Sequence, residues 1–273
     1  MRILVTGGAG FIGSNFIRHI LKAFPKAQVL NFDLLTYSGN LDNLADVASG
    51  KRLQFLKGDI ANNRQVDKAF ATFKSTHVIN FAAETHVDRS IHGGAADFVR
   101  TNIMGVQTIL EAVKKYGVER MVHVSTDEVY GSLSISTKKK FIESNQFLPN
   151  SPYAASKAGG DLLCRAYHET WGVPVIVTHS TNNFGAYQYP EKLIPFFILR
   201  LLEGKKVPLY GDGKNVRDWL YVDDHCEALS LIMEKGVPGE RYNIGSNNEK
   251  SNFQIAKMLL GYFNKSEDQI EYV

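Results

Sequence analysis

A short apolar run, a glycine-rich turn and a helix open the chain, and they constrain its fold more than any other feature. Residues 2–6 are apolar and β-branched, which predicts a strand, and helical periodicity follows the turn. Between them, Gly7, Gly10 and Gly13 permit a tight turn that brings backbone N–H groups close to a phosphate at the helix N-terminus. The order of strand, glycine turn and helix therefore predicts a dinucleotide-binding unit.

A second predicted strand, residues 28–33, ends in the carboxylate of Asp33, about 20 residues beyond the last glycine of the turn. A carboxylate at this point grips the two hydroxyls of a ribose and repels a 2′-phosphate. No arginine follows Asp33 in this segment. The sequence therefore predicts NAD, rather than NADP, as the cofactor.

Strand and helix patterns continue to alternate along the chain. We expect strands at residues 53–60, 77–83, 120–125 and 174–178, and helices at 65–73, 97–116 and 153–171. This alternation predicts an α/β fold with a Rossmann-type, doubly wound parallel sheet and ligands at the carboxyl ends of its strands. From residue 181 amides, aromatics and proline turns dominate. We therefore expect an NAD-binding domain at residues 1–180 and a smaller substrate-binding α/β cap at 181–273.

The residues expected to do chemistry lie at the end of the fifth strand and on the helix after it. Thr126, Asp127 and Glu128 follow the strand, and Tyr153 and Lys157 share one helix face at i and i+4. A lysine ammonium favours the ionised form of a phenol, so we expect a lowered pKa for the tyrosine. Such a phenol is a general acid or base for an alcohol that becomes a carbonyl. Alone, the tyrosine–lysine spacing is a weak signal, because solvated helix faces carry it by chance.

Composition argues against several other classes of function. The formal net charge of +3 over 273 residues gives no sign of a nucleic-acid or anionic-membrane partner. Cys164 and Cys226 indicate neither a disulfide framework nor a metal cluster, which fits a reducing cytosol. No apolar run is long enough to cross a bilayer, and the first strand leaves no room for a signal peptide. We expect a cytoplasmic protein without a metal.

Two predicted helices, residues 97–116 and 153–171, carry apolar residues on more than one face. A helix that packs only on a sheet needs a single apolar face, so the wider band requires another partner. We expect a homodimer in which these two helices pair with their copies. Burial beneath the C-terminal segment is the alternative, and the sequence leaves both open.

Taken together, these motifs resemble the extended short-chain dehydrogenase/reductase family and, within it, the dTDP-glucose 4,6-dehydratases. The resemblance covers nearly the whole chain and is carried by residues 6–13, 82–90, 125–131, 153–157, 182–183, 190–195 and 217–224. The glycine pattern and the tyrosine–lysine pair are shared by the broad family. The adjacent Asp127 and Glu128 are the specific signal, because 4-epimerases of the same fold lack this acid pair.

The resemblance implies that the chain dehydrates dTDP-glucose to dTDP-4-keto-6-deoxyglucose, as in the biosynthesis of deoxysugars such as rhamnose. Tyr153, helped by Lys157 and Thr126, would take the 4-hydroxyl proton as hydride passes from carbon 4 to NAD. Glu128 would then remove the carbon 5 proton, and protonated Asp127 would protonate the leaving 6-hydroxyl before hydride returns to carbon 6. Neighbouring carboxylates suit these roles because their mutual repulsion drives their two pKa values apart, so that one can act as an acid and the other as a base.

The resemblance also implies which residues surround the two ligands. Around the cofactor we expect Gly7, Gly10, Phe11, Ile12, Gly13, Asp33, Thr36, Asp59, Ile60, Ala82, Ala83, Thr101, Tyr153, Lys157 and Asn183. Around the substrate we expect Thr85, Thr126, Asn182, Lys192, Leu193, Pro208, Tyr210, Arg217 and Asn252.

Two alternative functions stay open at this point. One is a dehydratase or epimerase of the same fold that acts on a UDP- or GDP-hexose. The other is an NAD-binding module without catalytic activity. Family members generally continue past residue 273 with further substrate-binding residues, so we expect either a truncated chain or an incomplete subsite for the pyrophosphate and base.

Overall fold

The computed structural model describes residues 1–133 and 139–273, which contain twelve strands. In chain order the strands are β1 (Arg2–Thr6), β2 (Gln28–Asp33), β3 (Leu53–Lys57), β4 (His77–Asn80), β5 (Arg120–Thr126), β6 (Val175–Ser180), β7 (Asn182–Phe184), β8 (Val207–Leu209), β9 (Val216–Tyr221), β10 (Arg241–Ile244), β11 (Glu249–Ser251) and β12 (Ile270–Tyr272).

The α-helices alternate with these strands through most of the chain. In order they are α1 (Phe11–Ala23), α2 (Asn63–Phe73), α3 (Val87–His92), α4 (Ala96–Val99), α5 (Val106–Tyr116), α6 (Pro152–Trp171), α7 (Leu193–Leu202), α8 (Val222–Lys235) and α9 (Asn252–Tyr262). Short 3₁₀ helices cover Leu41–Leu44, Asp127–Tyr130 and Glu267–Gln269.

Seven strands form one parallel sheet in the order β10-β6-β5-β4-β1-β2-β3. From β1 the chain builds outward through β2 and β3, then returns to the other side of β1 with β4, β5 and β6. Where the strand order reverses, between β1 and β4, the two loops diverge and leave a crevice at the carboxyl ends of the strands. The predicted Rossmann-type, doubly wound fold is confirmed.

Two apolar layers cover the faces of this sheet. On one face α2, α5 and α6 bury a core that includes Phe70, Ile109 and Cys164. On the other face α1 packs beside α8, and their core includes Phe16 and Leu229. Since both faces are covered, the central strands are apolar on both sides, which is why they read as continuous hydrophobic runs.

The predicted helix at residues 97–116 is interrupted by a π-helical segment, Arg100–Gly105, between α4 and α5. The Asn102 side chain in this segment accepts a hydrogen bond from Glu84 N (2.9 Å) and donates to Glu84 O and to Ser156 Oγ (each 2.9 Å). A helical bulge turns this amide towards the loop after β4. The Asn102 side chain thus links α6 to the loop that carries Glu84.

The region after residue 181 contributes to two parts of the molecule. β10 is the edge strand of the main sheet, beside β6, and α8 packs with α1 on one face of that sheet. The remaining elements form a three-stranded sheet, β11-β9-β7, and a two-stranded sheet, β12-β8, with a core of α7 and α9 side chains such as Phe197 and Leu260. The domain boundary at residue 180 stays a prediction, and the main sheet contains strands from both sides of that boundary.

Cys164 and Cys226 are free and buried. Among the helices of residues 1–133 and 139–273, none combines the length and apolar character that a membrane span needs.

Two glycines inside helices give a matched test of the packing. A Cβ added at Gly160 in α6 would lie 2.6 Å from the backbone oxygen of Asn102, whereas one added at Gly261 in α9 meets nothing within 4 Å. We expect Gly160→Ala to lower the free energy of unfolding by about 1–3 kcal/mol, because the backbone must move. Gly261→Ala should leave stability unchanged or raise it by up to about 1 kcal/mol. Urea unfolding measures both, and equal effects would contradict the close packing of α6.

Candidate active site

A cleft of about 580 Å³ opens at the carboxyl ends of the central strands, where the strand order reverses. Its walls come from the loops after β1, β2, β4 and β5, from the start of α6, and from the segment that follows β6. These loops meet because parallel strands all end at the same edge of their sheet. The cleft therefore collects residues that are far apart in the chain.

The glycine turn forms one end of the cleft. Gly7 has a φ of +68°. A Cβ at Gly7 would lie 2.6 Å from Ala82 N, and one at Gly13 would overlap the Gly7 carbonyl oxygen. Side chains at these positions would push α1 away from β1 and β4. With glycine there, the first turn of α1 lines the cleft and presents its free N–H groups, which suit a pyrophosphate.

Asp33 lies beside this turn with its carboxylate fixed by backbone groups. Its Oδ2 accepts a hydrogen bond from Ala9 N (2.9 Å), and its Oδ1 accepts one from Leu35 N (2.8 Å). Burial raises the pKa of the Asp33 carboxyl, although these two bonds oppose the shift. All fifteen residues predicted to surround the cofactor, from Gly7 to Asn183, line this cleft.

The tyrosine–lysine face of α6 lies deeper in the same cleft. Tyr153 and Lys157 both line it and both are buried. The edge-on ring of Phe98 packs 6.4 Å from the Tyr153 ring, and Lys157 Nζ donates a hydrogen bond to Val124 O (2.8 Å). The helix begins at Pro152, with the Ser151 side chain accepting from Ala154 N, so the cap fixes the position of Tyr153.

The predicted lowering of the Tyr153 pKa is wrong for this structure. Burial raises the pKa of the phenol well above its usual value, and the nearby Glu128 raises it further, although a hydrogen bond with Thr126 opposes the shift. Burial likewise lowers the pKa of the Lys157 ammonium. The sequence argument counted only the charge of the lysine, whereas removal of the phenolate from water has the larger effect here.

The adjacent carboxylates lie on the short 3₁₀ helix that follows β5, across from Tyr153. Thr126 caps it, since its Oγ1 accepts a hydrogen bond from Glu128 N (3.3 Å) and donates to Asp127 Oδ1 (3.4 Å). Burial, with the charge of Glu128, raises the pKa of Asp127 to about 6. Burial also raises the pKa of Glu128, and Arg217 and Lys192 oppose that shift. Thr126 and Glu128 line the cleft, and Asp127 is half-buried between them in the chain.

Six of the nine residues predicted to contact substrate line the cleft: Thr85, Thr126, Asn182, Lys192, Leu193 and Arg217. The structure does not bring Pro208, Tyr210 and Asn252 to this lining. Pro208 lies in β8, which pairs with β12, and the side chain of Tyr210 is 77% exposed just beyond it. These three positions therefore have no support from the cleft geometry, and their role stays a prediction.

Sequence reasoning missed a polar cluster at the mouth of the cleft. The Tyr37 hydroxyl donates to Glu191 Oε1 (3.1 Å), and His86 Nε2 lies 3.7 Å from Glu191 Oε2. The Arg89 guanidinium lies over the Tyr37 ring at 4.4 Å from its centroid. This cluster joins the loops after β2 and β4 to the segment before α7. No local pattern could have revealed it, because Tyr37 and Glu191 are 154 residues apart.

Two buried oxygen atoms in the cleft lining suit a bound ligand. Within the described part of the chain, Thr181 Oγ1 and Gln188 Oε1 have no hydrogen-bond partner. Buried polar atoms are normally paired, so unpaired ones that line a cleft fit a polar ligand. Together with the glycine turn and Asp33, they make the residues present a good fit for a dinucleotide. Among residues 1–133 and 139–273, no group of three or more His, Cys, Asp and Glu could hold a metal ion.

Comparison with known proteins agrees with this geometry. Residues 4–272 match the family model described as GDP-mannose 4,6 dehydratase. The dTDP-glucose 4,6-dehydratase of Streptomyces niveus is 49% identical over the whole of this chain and 81% of its own length. The crystal structure of DesIV, a dTDP-glucose 4,6-dehydratase from Streptomyces venezuelae with NAD bound, is 48% identical and has a TM-score of 0.95 over the whole of this chain and 84% of its own.

Epimerases of the same fold are less similar. The UDP-glucose 4-epimerase of Thermus thermophilus, in complex with NAD, is 30% identical, with a TM-score of 0.89 over the whole of this chain and 86% of its own. The backbone fold is thus shared by both classes, and the sequence agrees better with the dehydratases. The chain therefore belongs to the family that the GDP-mannose 4,6 dehydratase model describes, and the resemblance to the dTDP-glucose 4,6-dehydratases that its motifs predict is confirmed.

Proposed function

We propose that this chain is an NAD-dependent hydro-lyase that converts dTDP-glucose to dTDP-4-keto-6-deoxyglucose. The observation that carries the proposal is the meeting of two sets of groups in one cleft. Tyr153, Lys157 and Thr126 suit oxidation of a sugar hydroxyl, and Glu128 with Asp127 suits elimination of water. A cleft for oxidation alone has no need of the second set.

The cofactor would lie along the glycine turn. The N–H groups at the start of α1 would hold its pyrophosphate, and the Asp33 carboxylate would accept hydrogen bonds from its ribose hydroxyls. When bound, NAD supplies a hydride acceptor for carbon 4 of the sugar and, after elimination, a hydride donor for carbon 6. The protein therefore has to position the sugar and move protons.

Tyr153 would move the first proton. As a base it has to enter this step as the phenolate, which burial disfavours by raising its pKa, so it needs neighbours that stabilise the negative charge. Lys157 supplies a positive charge on the same helix face, and Thr126 supplies a hydrogen bond. With this support, the Tyr153 phenolate would accept the proton of the 4-hydroxyl and become the neutral phenol.

Asp127 and Glu128 would divide the elimination between them. Glu128 lines the cleft near the cations of Arg217 and Lys192, which favour its ionised form, so it suits the base that removes the carbon 5 proton. The pKa of Asp127, raised to about 6, lies closer to neutral pH than that of a free carboxyl, so Asp127 takes up the proton of an acid more readily. It would give its proton to the departing 6-hydroxyl.

The same fold could act on a different nucleotide sugar. A UDP- or GDP-hexose remains an alternative substrate, since Pro208, Tyr210 and Asn252 lie outside the cleft lining and do not identify the base. A 4-epimerase is a weaker alternative, because it has no use for the acid pair. An NAD-binding module without activity is the alternative of another class.

We also propose that the chain forms a homodimer through its α3–α6 surface. Five large apolar residues are 45–56% exposed there: Ile91, Val99, Met104, Leu162 and Trp171. Exposed apolar side chains on helices that already pack on a sheet fit contact with a second copy of the chain. A cytoplasmic location is part of the proposal, since the free, buried thiols of Cys164 and Cys226 suit a reducing compartment.

Elimination tests the proposed chemistry directly. With dTDP-glucose and NAD, we expect a 4-keto-6-deoxy product and no net reduction of NAD, since hydride returns to the sugar. Glu128→Gln should lower the turnover number by about 100-fold to 10,000-fold, because it removes the general base. Mass spectrometry of the product, with dTDP-, UDP- and GDP-hexoses in parallel, measures both turnover and base preference.

The matched control for this variant is Glu203→Gln, which changes an exposed glutamate that pairs with Lys205. It should turn over like the wild type. Full turnover by Glu128→Gln would overturn the assignment of the base. Retained NAD with no turnover of any hexose would instead favour the binding module.

The burial of Asp127 predicts a pH-dependent cost in stability. Its pKa rises from 3.8 to about 6 on folding, so the folded carboxyl holds its proton more tightly than the unfolded one. The free energy of unfolding therefore falls as the pH rises from 3.8 to about 6, by about 3 kcal/mol in total. We expect Asp127→Asn to be stabilised relative to the wild type by about this amount at pH 7.5 and hardly at all at pH 4. Denaturant titrations at the two pH values measure it, and a pH-independent difference would argue against a buried Asp127.

The dimer proposal predicts that charge on the α3–α6 surface separates the subunits. Met104→Glu combined with Leu162→Glu should give a monomer, because two carboxylates would be buried without partners. Met258→Glu is the control, since Met258 is 59% exposed on α9, away from this surface. Sedimentation velocity at micromolar concentration distinguishes the species. A monomeric wild type, or a dimeric double variant, would contradict the proposal.

A further inference from the structure

The face of α6 that carries Tyr153 and Lys157 continues one turn further to a third ionisable residue, Asp161. The three are spaced four residues apart, so they lie in one row along the helix. Asp161 is only 3% exposed and does not line the cleft. A carboxylate in such a place is costly unless other groups compensate for it.

Two neighbouring strands supply the compensation. Ser125 Oγ, at the end of β5, donates a hydrogen bond to Asp161 Oδ2 (2.9 Å). His179 Nε2, on β6, lies 3.0 Å from the same oxygen. The other oxygen, Oδ1, lies 3.5 Å from His123 Nε2, and within the described residues it has no hydrogen-bond partner. Asp161 therefore bridges α6 to two strands from behind the cleft.

A chain of hydrogen bonds holds the His179 ring in place. The Nδ1 atom of His179 lies 2.9 Å from the Tyr130 hydroxyl, and that hydroxyl donates to Asn243 Oδ1 (3.0 Å). The Asn243 amide nitrogen in turn donates to Phe141 O (3.2 Å). The chain fixes the ring so that its other nitrogen, Nε2, faces Asp161.

Lys157 lies one turn away from this pair and is itself 3% exposed. Its Nζ donates to the Val124 carbonyl, which is a neutral acceptor. A buried ammonium bound only to neutral groups tends to lose its proton. An anion held nearby prevents this, and Asp161 lies in the same row of α6.

We propose that Asp161, held by His179 and Ser125, is a positioning residue that keeps the buried Lys157 in its ammonium form beside Tyr153. The inference rests on the proposed function, which gives Lys157 its role in favouring the phenolate. It deepens that function, because it gives a reason for a buried lysine to stay charged.

The pKa shifts of the ionisable groups around Lys157 are consistent with an ionised Asp161. Burial lowers the pKa of Lys157, and Asp161, followed by Cys164, opposes the shift. Burial alone would raise the pKa of Asp161, but the hydrogen bond from His179 and the neighbouring positive groups outweigh it and lower that pKa. Burial and Lys157 lower the pKa of His123 to about 3, so His123 is neutral at working pH. Asp161 is thus the ionised anion that faces Lys157.

The test reads the titration of Lys157 itself, in the folded protein without substrate. Lysine labelled with carbon-13 at Cε gives one NMR signal per residue, and the signal of Lys157 is the one lost in Lys157→Met. Asp161→Asn alone would leave the buried His179 without its carboxylate partner, which endangers folding. The test variant is therefore Asp161→Asn with His179→Gln, in which two amides replace the carboxyl and the imidazole. His179→Gln alone is the matched control, because it keeps the Asp161 carboxyl and its hydrogen bond from Ser125, so the two variants differ only in whether residue 161 can ionise.

We expect the Lys157 midpoint to lie about 1 to 3 pH units lower in the double variant than in the His179→Gln control. Equal midpoints in the two folded variants would overturn the proposal. If the control is poorly folded, the wild type takes its place in the comparison. Asp218→Asn removes another partly buried carboxylate that accepts bonds from Ser246 and Asn248, and it should leave the Lys157 signal unchanged.

Turnover adds a second readout. The alkaline limb of the pH profile for dTDP-glucose turnover should move towards lower pH in the double variant relative to the control, since Lys157 loses its proton earlier. If the alkaline limb of the pH profile does not move, the proposed effect of Asp161 on turnover is wrong. A wild type without turnover would overturn the proposed function, while the NMR titration would still decide whether Asp161 holds the charge of Lys157.

Discussion

The close contact between the glycine turn and the end of β4 is the constraint on which the cleft depends. Gly7 adopts a positive φ, and its backbone packs against Ala82 with no room for a Cβ. This contact brings the first turn of α1 to the place where the strand order reverses. Asp33 then binds Ala9 of the same turn, so two successive βα loops form one rigid surface. Everything proposed for the cofactor depends on that surface.

Removal from water, more than any single charge, sets the electrostatics of the site. It raises the pKa values of Tyr153 and Asp127 and lowers that of Lys157. Each shift favours the neutral form, so the charges that remain are those with partners. Glu128 has cations nearby, and Lys157 has Asp161 behind it. In a dry site a few fixed charges act strongly, because little solvent screens them.

The region after residue 181 completes the site by returning to the main sheet. β7 carries Asn182 and Asn183 straight on from β6, and its parallel pairing with β9 brings Arg217 to the cleft. α8 and β10 then pack on the nucleotide-binding side. The substrate-facing groups are thus held by the same framework as the cofactor-facing ones. The backbone fold is shared with the dehydratases and epimerases that the chain resembles, so the proposed dehydration depends on the acid pair.

The sequence by itself determined the alternation of strands and helices, the glycine turn, Asp33 and the row of catalytic candidates, because these depend on periodicity and on residue types at fixed local spacing. Only the tertiary structure decided which residues meet. It left Pro208, Tyr210 and Asn252 outside the cleft lining, and it joined Tyr37 to Glu191 across 154 residues. It also reversed the expected shift of the Tyr153 pKa. Burial and long-range contacts are properties of the packed chain, and no local pattern encodes their magnitude.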